Sequence, residues 1–128
     1  MSLKDNLKLM VVDDMSTSRG LITQALDTIG IRQYTTENDG TAALKRLAAS
    51  PVHLVISDYN MPGLDGLQLL EALRKTQSTQ KIGFILITGR ADKALIERGK
   101  SLAMNNFITK PFSDADMKEC IEKVVGRL

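Results

Sequence analysis

Four short apolar runs set the strongest limit on what this chain can fold into: Leu9-Met10-Val11-Val12, Leu54-Val55-Ile56, Phe84-Ile85-Leu86-Ile87 and Phe107-Ile108. They are too short for helices and rich in Val and Ile, the pattern of strands buried on both faces. Each run stops directly before a polar group or one residue short of it: Asp13 and Asp14, Asp58, Thr88 and Lys110. If the runs are parallel strands, these groups converge at one edge of a sheet. That edge is where open α/β sheets collect their ligands.

The segments between the runs have helical spacing. Leu21, Ile22, Ala25, Leu26 and Ile29 share one face before Gly30 ends the first helix, with Ser16 or Thr17 as its cap. Arg32 to Thr36 reads as an edge strand, and Asn38-Asp39-Gly40 opens a second helix that Pro51 stops. The turn-rich stretch Asn60-Met61-Pro62-Gly63-Leu64 leads to Asp65, which caps a third helix carrying Leu67, Leu70 and Leu73. A fourth helix starts near Asp92 with Leu95, Ile96, Leu102 and Ala103 inward, its regularity weakened by Gly99. In the last helix, Ser113 and Asp116 form a capping box ahead of Met117, Cys120, Ile121, Val124 and Val125. Strand and helix thus alternate five times. The expected fold is α/β, a single doubly wound five-stranded parallel sheet with five helices and right-handed crossovers.

A length of 128 residues fits one domain, and 43% hydrophobic with 25% charged residues is ordinary for a globular protein. No apolar run approaches bilayer length and the amino terminus does not read as a secretory signal, so a cytoplasmic location is expected, with no membrane partner. The single cysteine, Cys120, excludes an internal disulfide and reads as a core thiol. A net charge of +2, with lysines and arginines scattered among acids, gives no case for nucleic acid.

The polar groups carry a definite chemistry. Asp13 and Asp14 follow one strand and can turn both carboxylates toward a single ion, with Asp58 completing the cluster. Three carboxylates at close range repel one another unless a cation neutralises them, and hard oxygen donors favour magnesium over zinc. Magnesium retains water and accepts phosphate oxygens, so the site suits phosphoryl chemistry. The Lys110 ammonium and Thr88 hydroxyl offer a charge and a donor to phosphoryl oxygens, and one aspartate would be the acceptor.

Taken together, Asp13-Asp14-Met15-Ser16-Thr17, Asp58-Tyr59-Asn60-Met61-Pro62-Gly63-Leu64-Asp65-Gly66, Thr88-Gly89 and Lys110-Pro111-Phe112 resemble the bacterial response-regulator receiver domains. The resemblance spans essentially the whole chain. It implies a CheY-like, flavodoxin-like sheet of strand order 2-1-3-4-5 and one receiver domain over residues 1–128, with no output domain. Asp58 would be the phosphoacceptor. Asp14 and Asp58 would ligate magnesium with the backbone carbonyl of Asn60, and Asp13 would contact the ion through water. Thr88, Lys110 and the Gly89 backbone would bind phosphoryl oxygens. The donor would be a phosphohistidine on a sensor kinase or phosphotransfer protein, and the receiver would itself supply much of the catalysis.

The resemblance also implies a switch, in which Thr88 moves inward and the Phe107 ring fills the vacated space. Many chemotaxis members carry tyrosine there, and Phe107 lacks its hydroxyl. The Lys110-Pro111 peptide would be cis. The motifs look most like stand-alone chemotaxis regulators of the CheY type, monomeric, with a flagellar motor switch protein as the natural partner. Docking would use the fourth helix, fifth strand and fifth helix, beside the basic residues Arg90, Lys93, Arg98 and Lys100. A phosphate sink or phosphorelay shuttle needs the same site without that face. A magnesium phosphohydrolase fits less well for want of a cap domain, and a nucleotide or flavin binder lacks both glycine-rich phosphate motifs. His53 reads as a surface or capping residue, and Met61 as packing.

Overall fold

The computed structural model describes residues 3–128; Met1 and Ser2, read above with the amino-terminal segment, lie outside them. Five strands, β1 (Lys8–Val12), β2 (Gln33–Glu37), β3 (Leu54–Asp58), β4 (Gly83–Thr88) and β5 (Asn106–Thr109), form one parallel sheet in the order β2-β1-β3-β4-β5. The described helices are α1 (Leu3–Asn6), α2 (Ser16–Ile29), α3 (Gly40–Ala49), α4 (Gly66–Lys75), α5 (Lys93–Ser101) and α6 (Asp114–Val125). The fold class and strand order are as expected, but the described residues contain six helices where the sequence predicts five. The additional one is a single turn, closed by Leu7 N–H on the Leu3 carbonyl at 3.0 Å. Four residues are too few to show a helical period. The turn is held from outside, by burial of Leu7 and by the Gln33 side-chain amide donating to the Asp5 carbonyl at 2.5 Å.

Strand alternation splits the core into two layers. Leu9, Val11, Ile56, Ile85 and Ile87 pack against Ile22 and Leu26 of α2 and Met117 and Ile121 of α6. Met10, Val12, Val55, Phe84 and Leu86 point the other way, against Leu47 of α3, Leu70 and Leu73 of α4 and Leu95 of α5. Met61 is buried in this second layer, as expected of a packing residue.

The helix ends decide how the chain returns to the site edge. Gly30 closes α2 in the left-handed conformation at φ 99°, its N–H bonded to the Leu26 and Asp27 carbonyls. Asp39, Asp65, Asp92 and Ser113 each accept a bond from the backbone two or three residues into the following helix, and Asp65–Gln68 and Ser113–Asp116 are full capping boxes. Neither Ser16 nor Thr17 caps α2. The cap position is Met15, whose N–H is taken by the Asp13 carboxylate instead. Helix α5 stops at Ser101, so Leu102 and Ala103 lie beyond it, with Ala103 left-handed at φ 63°. Gly99 is buried within α5 because Met104 lies on it; a Cβ there would stand 2.7 Å from Met104 Sδ. His53 is exposed and its Nδ1 accepts the Lys8 N–H at 3.0 Å, a capping role at the start of β1.

Candidate functional site

Sheet order lines up the polar groups along the carboxyl edge, with Asp13 and Asp14 beyond β1, Asp58 ending β3, Thr88 ending β4 and Lys110 just past β5. Asp13 is fully buried. Its N–H extends the pairing of β1 with β2 by bonding the Glu37 carbonyl at 3.1 Å, and its Oδ1 accepts the Met15 N–H at 3.0 Å. Its Oδ2 is buried with no hydrogen-bond partner. Asp14, the next residue, is exposed.

Asp13, Asp14 and Asp58 each offer a carboxylate oxygen, and the three oxygens lie within 4.8 Å of one another. Asp58 is 7% exposed, and Lys110 Nζ sits 3.0 Å from its Oδ1. Burial raises the proton affinity of Asp58 above the usual carboxylate range. The Lys110 ammonium opposes that rise, and the Asp13 and Asp14 charges add to it. A cluster short of positive charge, with one buried oxygen still to be satisfied, fits a hard divalent cation such as magnesium.

Thr88 is buried at the end of β4, but its hydroxyl is already engaged, donating to the Arg90 carbonyl at 3.0 Å and accepting the Arg90 N–H at 3.2 Å. Gly89 is exposed, and a Cβ on it would meet nothing within 4 Å, which leaves open space beside the threonine. Asn60 is exposed in the loop after Asp58. That loop returns tightly, since Gly66 N–H bonds the Tyr59 carbonyl and a Cβ on Gly66 would stand 2.5 Å from the Asp58 carbonyl oxygen. Only glycine lets α4 begin against the acidic strand. Phe107 is half-buried, opposite Leu86 in the sheet and packed against the layer that contains α5. The Lys110-Pro111 peptide is cis.

Sequence reasoning missed two members of the site. Ser18 Oγ accepts a second bond from Lys110 Nζ at 3.0 Å, and Arg19 Nη1 donates to the Asp13 carbonyl at 2.8 Å. Ser18 is 92 residues from Lys110 in sequence, and no local spacing pointed to it.

The chain is similar to proteins of one family in sequence and in fold. Residues 9–122 match the family model described as the response regulator receiver domain. The Rhizobium etli protein named "Probable chemotaxis protein CheY" is 43% identical over 128 residues, 100% of this chain and 99% of that protein. Chemotaxis protein CheY-3 of Vibrio cholerae is 32% identical over 126 residues, 98% of this chain and 97% of that protein. Among solved structures, Vibrio cholerae chemotaxis protein CheY4 superposes with a TM-score of 0.85 at 24% identity, covering 92% of this chain and 98% of that one. The receiver domain of a Pseudomonas aeruginosa sensor histidine kinase, solved with magnesium in its active-site cleft, gives 0.84 at 22% identity, covering 94% and 98%. The acid-edged sheet and these full-length likenesses together make the chain a member of the response-regulator receiver family, of the CheY type.

Proposed function

We propose that Asp58 accepts a phosphoryl group from a phosphohistidine of a sensor kinase or phosphotransfer protein, in a magnesium-dependent reaction. The observation that carries this reading is the contact of the Lys110 ammonium with Asp58 Oδ1 at 3.0 Å, beside two further carboxylates. An Asp58 oxygen attacks phosphorus, the P–N bond to the imidazole breaks, and the released nitrogen takes up a proton. Asp13, Asp14, Asp58 and the Asn60 carbonyl would hold magnesium, which when bound supplies charge neutralisation and a coordination position for a phosphoryl oxygen. Lys110 exchanges its carboxylate partner for the incoming oxygens, and the Gly89 backbone N–H would donate to them. Thr88 must release Arg90 to do the same, which opens room for the Phe107 ring. That exchange is the switch, a local charge event biasing a two-state element.

Phosphorylation is stoichiometric and the protein catalyses its own loading and slow hydrolysis. The signal then leaves through docking of the α5, β5 and α6 surface onto a partner. The CheY-named relatives favour a flagellar motor switch protein as that partner, with the domain acting as a cytoplasmic monomer. Incubation with acetyl phosphate and magnesium tests the chemistry. Label is expected on Asp58, with none in Asp58→Asn and none when the metal is chelated. Full labelling of Asp58→Asn would refute the assignment.

A further inference from the structure

We infer that Ser18 is a positioning residue for Lys110, a fixed hydroxyl pivot that holds the ammonium over Asp58 before and during phosphoryl arrival. The inference rests on the proposed acceptor role of Asp58. Lys110 Nζ has two partners, Asp58 Oδ1 and Ser18 Oγ, each at 3.0 Å, and the second links residues 92 apart in sequence. The lysine side chain is one-third exposed, so a single contact would leave a long flexible stem to wander. Ser18 is better fixed. It is half-buried in the first turns of α2, a helix whose Ile22, Ala25 and Leu26 are sealed against the sheet.

The two partners differ in one decisive respect. Asp58 changes from a carboxylate to an acyl phosphate during the reaction, so its hold on the ammonium must be broken and remade. The Ser18 hydroxyl is unchanged throughout. One ammonium hydrogen stays on Ser18 while the others pass from the carboxylate to the phosphoryl oxygens, so Lys110 turns about a fixed point and does not search for its target. Arg19, the next residue, ties the same helix to the Asp13 carbonyl at 2.8 Å, so pivot and acid cluster are registered to one another.

Ser18→Ala, Ser18→Thr and Lys110→Ala test this, alone and as the double variant Ser18→Ala with Lys110→Ala. Alanine is the better helix former, so folding is not at issue. Loss of one hydrogen bond to a charged group is expected to slow Asp58 phosphorylation by acetyl phosphate about three- to tenfold in Ser18→Ala. Threonine, which keeps the hydroxyl, restores the rate. In the Lys110→Ala background, Ser18→Ala has no further effect. A second readout needs neither metal nor phosphodonor: in ¹⁵N relaxation of the lysine ammonium groups, Lys110 is expected to be rigid in the parent and Ser18→Thr, and mobile in Ser18→Ala. Equal rates and equal Lys110 mobility in parent and Ser18→Ala, or an undiminished Ser18 effect without Lys110, overturn the inference. Absence of any label on Asp58 in the parent protein would instead defeat the underlying acceptor reading.

Discussion

At the amino ends of β4 and β5 the guanidinium of Arg74 is enclosed by polypeptide, whereas at the carboxyl ends Asp58 is enclosed by other charges. Arg74 donates to the carbonyls of Gln80 and Ile82 at 3.0 and 2.6 Å, to the Ala103 carbonyl at 2.9 Å and to Asn105 Oδ1 at 3.1 Å. Asn105 Oδ1 also takes the Phe84 N–H at 2.8 Å. Every acceptor is neutral and fixed by the backbone or a short side chain. Asp58 has one cationic partner and two like-charged neighbours. Among the described residues, the buried side-chain atoms without a partner are one from each end, Arg74 Nε and Asp13 Oδ2. The arginine lacks one bond of five; the acid cluster lacks a balancing charge. The first end is finished by the chain itself and the second is left to be finished by a ligand.

Removing each charge should therefore act in opposite directions. Arg74→Met strands the three carbonyls it bridges and is expected to lower stability by about 2–4 kcal/mol, read from the midpoint of urea unfolding. A loss no larger than that of an exposed arginine would break the contrast. Asp58→Asn is expected to raise the stability of the metal-free protein at neutral pH, by on the order of 1 kcal/mol, because it removes a desolvated and repelled charge.

The pH dependence sharpens this second effect. The folded carboxyl of Asp58 is raised above its ordinary value of 3.8, so the folded state binds the proton more tightly than the unfolded chain. Stability contributed by that proton is present at low pH and is lost as pH rises from the unfolded value through the raised folded one. Parent and Asp58→Asn should match at acid pH and separate toward neutrality; a constant difference would refute the assignment. The smallest effect concerns Ala103, whose left-handed backbone presents its carbonyl to Arg74. Ala103→Gly is expected to stabilise by about 0.5 kcal/mol, and a loss would show that the methyl group packs usefully.

How much of this was legible in the sequence follows from the range of the forces involved. Strands β1, β3 and β4 showed because burial on both faces forces apolar runs, β5 showed through Phe107-Ile108 although it is a half-buried edge strand, and Asp39, Asp65, Asp92 and Ser113 showed because capping acts within three residues. The acids, Thr88 and Lys110 could be placed at one edge because each follows such a run. The start of α2 was misread because the cap position falls on Met15, one residue before Ser16, and no side chain caps the helix. The turn of α1 depends on tertiary anchoring of Leu7 and Gln33, and the Lys110–Ser18 bond joins segments that no local pattern connects. The engagement of the Thr88 hydroxyl with Arg90 likewise depends on the loop's path.

Cys120 bears on how the last strand is fastened to the last helix. Its thiol lies under β5, donating to the Phe107 carbonyl at 3.6 Å, and burial pushes its pKa up to about 11. A sulfur so placed is held in its neutral, protonated form and serves as packing. Its weak bond to the Phe107 carbonyl fastens β5 to α6 from beneath, tying the edge strand to the helix that follows it.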